Sequence, residues 1–156
     1  MTALSRLEHH YLDASDALEE FVDLVAPAAL DGAVVSFTGL ARRRGSDGGV
    51  VEELRLDWRP GLTERSIQDI AEAAKARFDV GAVQVIHRCG NVLPGDVIVF
   101  AAAASPHRRE AFLAADYLMD RLKSEAAFWK YERGPKGGRW IEPTEQDRAT
   151  LARWSA

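Results

Sequence analysis

The sequence has little cysteine and no long apolar run, and each absence excludes a class of protein. Cys89 is the only cysteine among the 156 residues. A single thiol cannot form a disulfide within the chain or supply a multi-cysteine zinc site, and this usage fits a reducing compartment. No segment approaches the roughly 20 apolar residues that a membrane-spanning helix needs, and residues 1–11 lack the apolar core of a signal peptide. We therefore expect a cytoplasmic protein without a membrane anchor.

The chain also lacks a basic excess and the common ligand-binding motifs. Its 20 Lys and Arg against 24 Asp and Glu give a formal net charge of −4, whereas general nucleic-acid binding needs a broad basic face. It contains no P-loop, dinucleotide fingerprint, Gly-x-Ser-x-Gly elbow or metal-binding spacing of His and Cys. We expect no nucleic-acid partner, no metal and no cofactor, so any anion site must be a local pocket.

What is present indicates one α+β domain over residues 1–156, since 47% hydrophobic and 28% charged residues are typical of a globular chain of this length. Helical and β-branched segments alternate irregularly, which favours a mixed or antiparallel sheet with packed helices. Helices are predicted at 16–25, 63–78 and 105–126, and strands at 33–38, 50–58, 82–87, 97–104 and 128–132. Segments of about 42–49 and 133–138 are predicted to be flexible loops, and about 144–156 a polar C-terminal tail.

The helix from Ser105 leads into the most unusual chemistry of the chain. The Ser105 hydroxyl can accept a hydrogen bond from a first-turn amide, and Pro106 suits the first helical position. Apolar residues at steps of three and four predict one buried stripe. They are Phe112, Ala115, Met119, Leu122 and Ala126. The aromatic-rich run that follows predicts a strand, so the chain turns a corner between the two elements.

Lys123 and Lys130 flank this corner, and we interpret them as candidate catalytic residues. Lysines so spaced are more often solvated surface residues. Here Lys130 lies between two aromatic residues, while His107 and Arg108 stand at a helix start, where backbone amides and the helix dipole favour an anion. We expect the two ammonium groups to share one cavity with guanidinium groups from distant parts of the chain.

Two further features leave alternatives open. Arg42, Arg43 and Arg44 follow a predicted core strand, where they could either solubilise a loop or hold an anion by bidentate hydrogen bonds. Cys89 could be a nucleophile helped by the charge of Arg88 or an inert core residue, and we interpret it as inert, because a lone thiol among apolar neighbours rarely has the depressed pKa that a nucleophile requires.

Several short segments occur in an order and spacing that is more specific than any one of them. They are Gly-Ala-Val-Val-Ser-Phe-Thr-Gly at 32–39 followed by Arg42, Pro-Gly at 60–61, Val-Ile-His-Arg at 85–88 with Gly90, Leu-Pro-Gly-Asp at 93–96, Ser-Pro-His-Arg at 105–108, Met-Asp-Arg-Leu-Lys at 119–123, Phe-Trp-Lys at 128–130 and Arg-Trp at 139–140. From about residue 30 to 142 this set resembles the large catalytic subunit of molybdopterin synthase.

The resemblance implies an α/β hammerhead fold and a sulfurtransferase of molybdenum cofactor biosynthesis, which converts cyclic pyranopterin monophosphate to molybdopterin. It also implies a sulfur donor, the C-terminal thiocarboxylate of a small ubiquitin-like carrier subunit ending in Gly-Gly, and a homodimer of large subunits within a heterotetramer. By position, Lys123 and Lys130 match the catalytic lysines. Arg42, His107, Arg108 and Arg139 match substrate-binding positions, and the arginine-rich loop leaves open whether Arg42 or Arg43 is the working residue.

Two other functions remain open at this point. One is a module that binds a ubiquitin-like tail without catalysis, and the other is a different phosphate-handling enzyme on the same scaffold. Only the sulfurtransferase would form a dithiolene from thiocarboxylated carrier and cyclic pyranopterin monophosphate.

Overall fold

The computed structural model describes residues 2–45 and 47–155, in which two four-stranded sheets carry the helices. The strands are β1 (Thr2–Glu8), β2 (Ala33–Leu40), β3 (Glu53–Trp58), β4 (Ala82–Arg88), β5 (Gly90–Val92), β6 (Val97–Ser105), β7 (Phe128–Gly134) and β8 (Gly137–Ile141). The helices are α1 (Ala14–Val25), α2 (Leu62–Arg77), α3 (Arg108–Glu125) and α4 (Glu145–Ala152). No helix in the described part of the chain is both long and apolar enough to span a bilayer.

The first sheet has the strand order β1-β4-β6-β2, with β1 parallel to β4 and the other pairs antiparallel. Its central strand β4 is buried along its whole length, because α2 and α3 cover one face and α1 the other. Burial on both faces explains the continuous apolar run of β6, since alternation is needed only where one face meets water. β2 is an edge strand of this sheet, paired with β6.

The second sheet is antiparallel, in the order β5-β3-β7-β8. Leu56 of β3 is fully buried and packs with Ala41 and Val92. Phe128, the first residue of β7, contacts both this small cluster and the main core between the first sheet and its helices. The strand that carries Lys130 therefore begins where the two sheets meet. This arrangement confirms the predicted α+β class with mixed and antiparallel sheets.

The predicted start and buried stripe of α3 are partly wrong. Ser105 is the last residue of β6, where its hydroxyl donates to the Asp79 carbonyl at 2.7 Å and accepts from the His107 amide at 3.1 Å. The helix begins at Arg108. Its buried residues are Ala111, Ala114, Ala115, Tyr117, Leu118 and Leu122. Phe112 is 61% exposed. The side of α3 that packs against β6 carries alanines instead, because their small side chains allow the helix to approach the strand more closely than an aromatic ring would.

Two segments predicted to be irregular are largely regular. The predicted loop 133–138 lies mostly in a hairpin, because β7 continues to Gly134 and pairs there with Gly137 of β8. The predicted C-terminal tail contains α4, whose start is fixed by a reciprocal cap between Thr144 and Asp147. Beyond α4, the ring of Trp154 packs edge to face against Phe78 and Tyr117. Aromatic burial by the last residues holds this segment against α2 and α3.

Candidate active site

The corner between α3 and β7 is held by hydroxyl groups of α2. The Thr63 hydroxyl donates to the Ala127 carbonyl at 2.8 Å, and the Ala127 amide donates to the Ser66 hydroxyl at 2.9 Å. Ala126 already has extended backbone angles, so the helix ends at Glu125. Because both backbone polar groups of Ala127 are hydrogen-bonded, this bend in the chain is fixed. Lys123 lies before the bend and Lys130 after it.

A cavity of about 470 Å³ lies next to this corner and brings three of the predicted site residues together. Lys123 from the last turn of α3, Lys130 from β7 and Arg42 from the segment after β2 all line it. The remaining lining residues include another cation, several apolar side chains and three carboxylates. They are Arg44; Leu54, Ile98, Leu122 and Phe128; and Glu132, Glu142 and Asp147. The expectation that the two lysines share one cavity is confirmed.

Strand alternation determines which part of β7 faces the cavity. Phe128, Lys130 and Glu132 line it, as expected for residues two apart in a strand. Trp129 points to the other side and is 47% exposed. Trp129 and Tyr131, the immediate neighbours of Lys130 in sequence, therefore do not line the cavity, and most of its wall comes from other elements.

The cavity changes the acid–base chemistry of Lys130. Burial and, secondly, the charge of Lys123 lower its pKa to about 8, while the carboxylate of Asp147 acts in the opposite direction. Among residues 2–45 and 47–155, no carboxylate lies within ion-pair distance of Lys123 or Lys130. At pH 7.5 such a lysine has a neutral fraction roughly 200 times larger than a free lysine. Lys130 can therefore both donate and accept a proton near neutral pH.

His87 lies behind the cavity wall as a neutral imidazole. It is 5% exposed, its ring stacks on Phe128 with centroids 4.0 Å apart, and its Nδ1 is 2.8 Å from the Arg88 carbonyl. Only a protonated Nδ1 can donate to a carbonyl, which fixes the tautomer. Burial above all, opposed by that hydrogen bond and assisted by the charge of Lys130, lowers the pKa of His87 to about 4.

Three other predicted residues are not in this cavity. Lys123 lies fifteen positions after Arg108 in α3, a distance of about 22 Å along a helix, so His107 and Arg108 cannot reach the lysines of their own chain. Arg139 lines a neighbouring hollow of about 450 Å³, where it lies 3.5 Å from Asp47 and 3.9 Å from Glu132. Within one chain the two lysines therefore share their cavity with guanidinium groups of Arg42 and Arg44, while His107, Arg108 and Arg139 lie outside it.

The arginine-rich loop contributes alternate residues to the site. Arg42 and Arg44 line the cavity, whereas Arg43 is not among its lining residues. The Arg44 guanidinium donates to the Gly48 carbonyl at 2.9 Å and also borders the neighbouring hollow. Of the two alternatives left open by the sequence, the geometry favours Arg42 over Arg43.

Cys89 is a buried structural residue. Its side chain is 1% exposed and its sulfur lies 3.3 Å from His9 Nδ1. Burial raises the pKa of the thiol, which makes it a poor nucleophile, and it does not line the cavity. In the described part of the chain, no group of three or more His, Cys, Asp or Glu residues is placed to hold a metal ion.

Sequence reasoning missed the acidic side of the cavity. Glu132 was detectable, because it lies two residues beyond Lys130 in a predicted strand and must share its face. Asp147 was detectable from the Thr-x-x-Asp pattern at 144–147, which is typical of a helix start rather than of a tail. Glu142 carried no comparable signal.

The chain is similar to proteins of one family. The sequence model of the family described as MoaE protein matches residues 7–125. The molybdopterin synthase catalytic subunit of Caulobacter vibrioides is 52% identical over 123 residues, which cover 79% of this chain and 80% of that protein. The MoaE protein of Burkholderia ambifaria MC40-6 superposes with a TM-score of 0.80 and 33% identity, covering 100% of this chain and 99% of the other. Molybdopterin synthase from Staphylococcus aureus superposes with a TM-score of 0.76 and 25% identity, over 86% and 94%.

Proposed function

The chain belongs to the MoaE family of molybdopterin synthase catalytic subunits, and from that premise we propose that it transfers sulfur to cyclic pyranopterin monophosphate. The sulfur comes from the C-terminal thiocarboxylate of a small ubiquitin-like carrier ending in Gly-Gly, and the product is the dithiolene of molybdopterin. The observation that carries this proposal is the pair of ammonium groups, Lys123 and Lys130, in one cavity beside Arg42. We place the reaction in the cytoplasm.

Lys123 is proposed to hold the thiocarboxylate. It is exposed at the end of α3, and no carboxylate of the described residues is within ion-pair distance of it, so its charge is available to an anionic tail. A fixed cation beside the acyl group also stabilises the negative charge that develops on the acyl oxygen when water attacks this carbonyl and breaks the bond from carbon to sulfur, which leaves the sulfur on the pterin side chain and the carrier tail as a carboxylate. Because the carrier supplies the sulfur, no enzyme thiol is required, in agreement with the burial of Cys89.

Lys130 is proposed to move protons. Its pKa of about 8 lies close to neutral pH, where a general acid or base is most effective. As each sulfur adds to the pterin side chain and the cyclic phosphate opens, protons must be accepted and returned. An amine that is partly neutral at pH 7.5 can do both, whereas an ordinary lysine cannot.

Arg42 and Arg139 are proposed to hold the phosphate and the pterin ring system. Arg42 lines the cavity beside the lysines, and Arg139 lies in the adjoining hollow. The two hollows share the wall residues Arg44, Val51 and Glu132. A substrate longer than one cavity can therefore contact guanidinium groups in both, and guanidinium forks match phosphate oxygens.

A second copy of the chain is proposed to supply His107 and Arg108. The Gly32 amide donates to the Ser105 carbonyl at 2.9 Å, which places the start of β2 beside the start of α3. The end of β2 leads to Arg42 and the cavity. β2 spans roughly 23 Å, so His107 and Arg108 lie at one end of this strand and the lysines at the other.

Antiparallel pairing of two β2 strands across a two-fold axis would bring opposite ends together. β2 is an edge strand with exposed apolar residues at Val34, Phe37 and Leu40, and unpaired edges of this kind commonly pair with another chain. A two-fold interface uses the same surface on both copies. The start of one β2 then meets the end of the other, which places His107 and Arg108 of one protomer near Lys123 of its partner.

The proposed reaction is tested by mixing the purified protein with thiocarboxylated carrier and cyclic pyranopterin monophosphate and measuring dithiolene product. We expect K123A to lower the rate by on the order of 1,000-fold and K130A by on the order of 100-fold, because each removes charge stabilisation or proton transfer. Lys75, on the last turn of α2 and outside the cavity, provides a matched control, and K75A should keep the wild-type rate. Circular dichroism checks that each variant is folded.

The other two functions give different results in the same assay. A binding module would leave the wild-type mixture without product while the carrier still binds. Another phosphate-handling enzyme would release or transfer phosphate without forming a dithiolene. Wild-type rates in folded K123A and K130A would reject the proposed roles of both lysines.

A further inference from the structure

We propose that Asp147 of α4 is a positioning residue for Lys130, whose ammonium form its carboxylate stabilises across the cavity. This inference rests on the proposed function, because it assigns to the same site a residue outside the predicted set. It concerns the C-terminal segment, which the sequence predicted to be a polar tail.

The carboxylate of Asp147 is fixed in the cavity wall by its own helix cap. Its Oδ2 accepts a hydrogen bond from the Thr144 amide at 2.8 Å, and its amide donates to the Thr144 hydroxyl at 3.1 Å. Thr144, Pro143 and Asp147 all line the cavity that contains both lysines. A residue held both at its carboxylate and at its backbone amide keeps its charge in one place, as a positioning residue must.

The far end of α4 is tied to the helix that carries Lys123. The Arg153 guanidinium and the Trp154 indole both donate to the Asp120 carboxylate at 2.6 Å. In addition, the Arg77 guanidinium donates to the Trp154 carbonyl at 2.7 Å. These contacts, with the packing of the Trp154 ring, hold α4 against α3, so the position of Asp147 relative to the site is set by the fold.

The charges around Lys130 come from every element of the cavity wall. Cations are supplied by Lys123 of α3 and by Arg42 and Arg44 after β2, and the other carboxylates are Glu132 of β7 and Glu142 after β8. Behind the wall, His87 of β4 is neutral. Among these groups, Asp147 is the acid whose charge raises the pKa of Lys130, against the lowering by burial and by Lys123. Removing the Asp147 charge should leave the lowering of the Lys130 pKa by burial and by Lys123 unopposed.

The substitution D147N separates this electrostatic role from the structural one. Asn has the same shape and its amide oxygen can still accept from the Thr144 amide, so the cap is kept while the charge is lost. E145Q is the matched control. Glu145 is exposed, lies in the same first turn of α4 and carries the same charge, but it does not line the cavity.

The direct measurement is an NMR titration of lysine side chains in the full-length protein. The chain has four lysines, at positions 75, 123, 130 and 136, so the Lys130 signal can be assigned by its loss in K130R. We expect D147N to lower the pKa of Lys130 by on the order of half a pH unit, as expected for loss of a nearby opposite charge, and E145Q to leave it unchanged. The corresponding inflection in the pH dependence of product formation should move to lower pH by the same amount.

An unchanged Lys130 titration in D147N would overturn the inference, whatever happens to the rate. Equal shifts in D147N and E145Q would also overturn it, because the effect would then be one of net charge. The titration requires no substrate, so it is independent of turnover. A wild-type protein that forms no dithiolene would reject the proposed function, while the titration would still decide whether Asp147 acts on Lys130.

Discussion

The buried imidazole of His87 should make the stability of the fold depend on pH between about 4 and 6.5. In the folded chain its pKa is about 4, whereas in the unfolded chain it is near the ordinary value of about 6.5. Between these values the unfolded chain binds a proton that the folded chain does not. The free energy of unfolding should therefore fall as the pH is lowered through this range, and the contribution is complete above the unfolded pKa.

The two pKa values give the size of the effect. At 1.36 kcal/mol per pKa unit, the difference between them corresponds to about 3 kcal/mol, most of it lost by pH 4.5. Solvent screens this effect very little, because the His87 side chain is only 5% exposed. Such a loss is a large fraction of the stability of an ordinary domain.

The measurement compares the wild type with H87N by urea unfolding, followed by tryptophan fluorescence at several pH values between 7.5 and 4.5. Asn can still donate to the Arg88 carbonyl but cannot take up a proton in this range. H87N will be less stable at pH 7.5, because it loses the stack on Phe128, yet its free energy of unfolding should fall less on acidification. Carboxylates titrate alike in both proteins, so the difference between their slopes isolates His87. Parallel pH dependences would show that His87 is not held neutral.

Two further predictions concern which arginines act and in which chain. R42A should lower kcat/KM by on the order of 100-fold through loss of a charged contact to substrate. The kcat/KM of R43A should stay within about twofold of the wild-type value. The reverse ranking would show that Arg43 is the working residue. To test the two-fold arrangement, K123A and R108A chains carrying different tags are coexpressed and the mixed dimers are purified. These dimers should recover roughly one half of the wild-type rate, because one of their two sites contains neither substitution. Absence of recovery would show that each site is built within one chain.

The local elements could be predicted because their signals are local. The inward positions Ile67, Ile70, Ala71 and Ala74 of α2 repeat at helical spacing and are all buried. The alternation of Leu54, Leu56 and Trp58 likewise predicts β3, in which Leu56 is fully buried. In both cases neighbouring residues along the chain face the same packing partner, so the period alone contains the information.

The start of α3 was harder to predict because tertiary contacts compete with local preference. Ser105 and Pro106 are good helix-start residues, but the Ser105 hydroxyl donates a hydrogen bond to the Asp79 carbonyl, and the backbone of Ser105 extends β6. The orientation of the helix is then set by close contact of its alanines with β6, which exposes Phe112. The Asp79 carbonyl and the strand β6 both lie outside the helix segment, so a periodic pattern within that segment cannot reveal them.

The candidate site shows the same division. The corner between Lys123 and Lys130 is a local feature, and the sequence predicted it. The fixing of that corner by Thr63 and Ser66 of α2, and the presence of Asp147 in the cavity wall, depend on residues distant in sequence, and no spacing rule connects them to the lysines.

The arrangement of charge in the cavity is one that folding alone disfavours. Two ammonium groups line one hollow, one of them desolvated enough to lower its pKa to about 8, and among the described residues neither has an ion-pair partner. Such groups would be more stable if α4 brought a carboxylate into direct contact, but a salt bridge would occupy the cations that an anionic tail and a phosphate must reach. Asp147 lies in the same wall and acts on Lys130 through space without an ion pair. It therefore moderates the repulsion between the lysines while leaving their charges open to a ligand, which is what a site for an incoming thiocarboxylate requires.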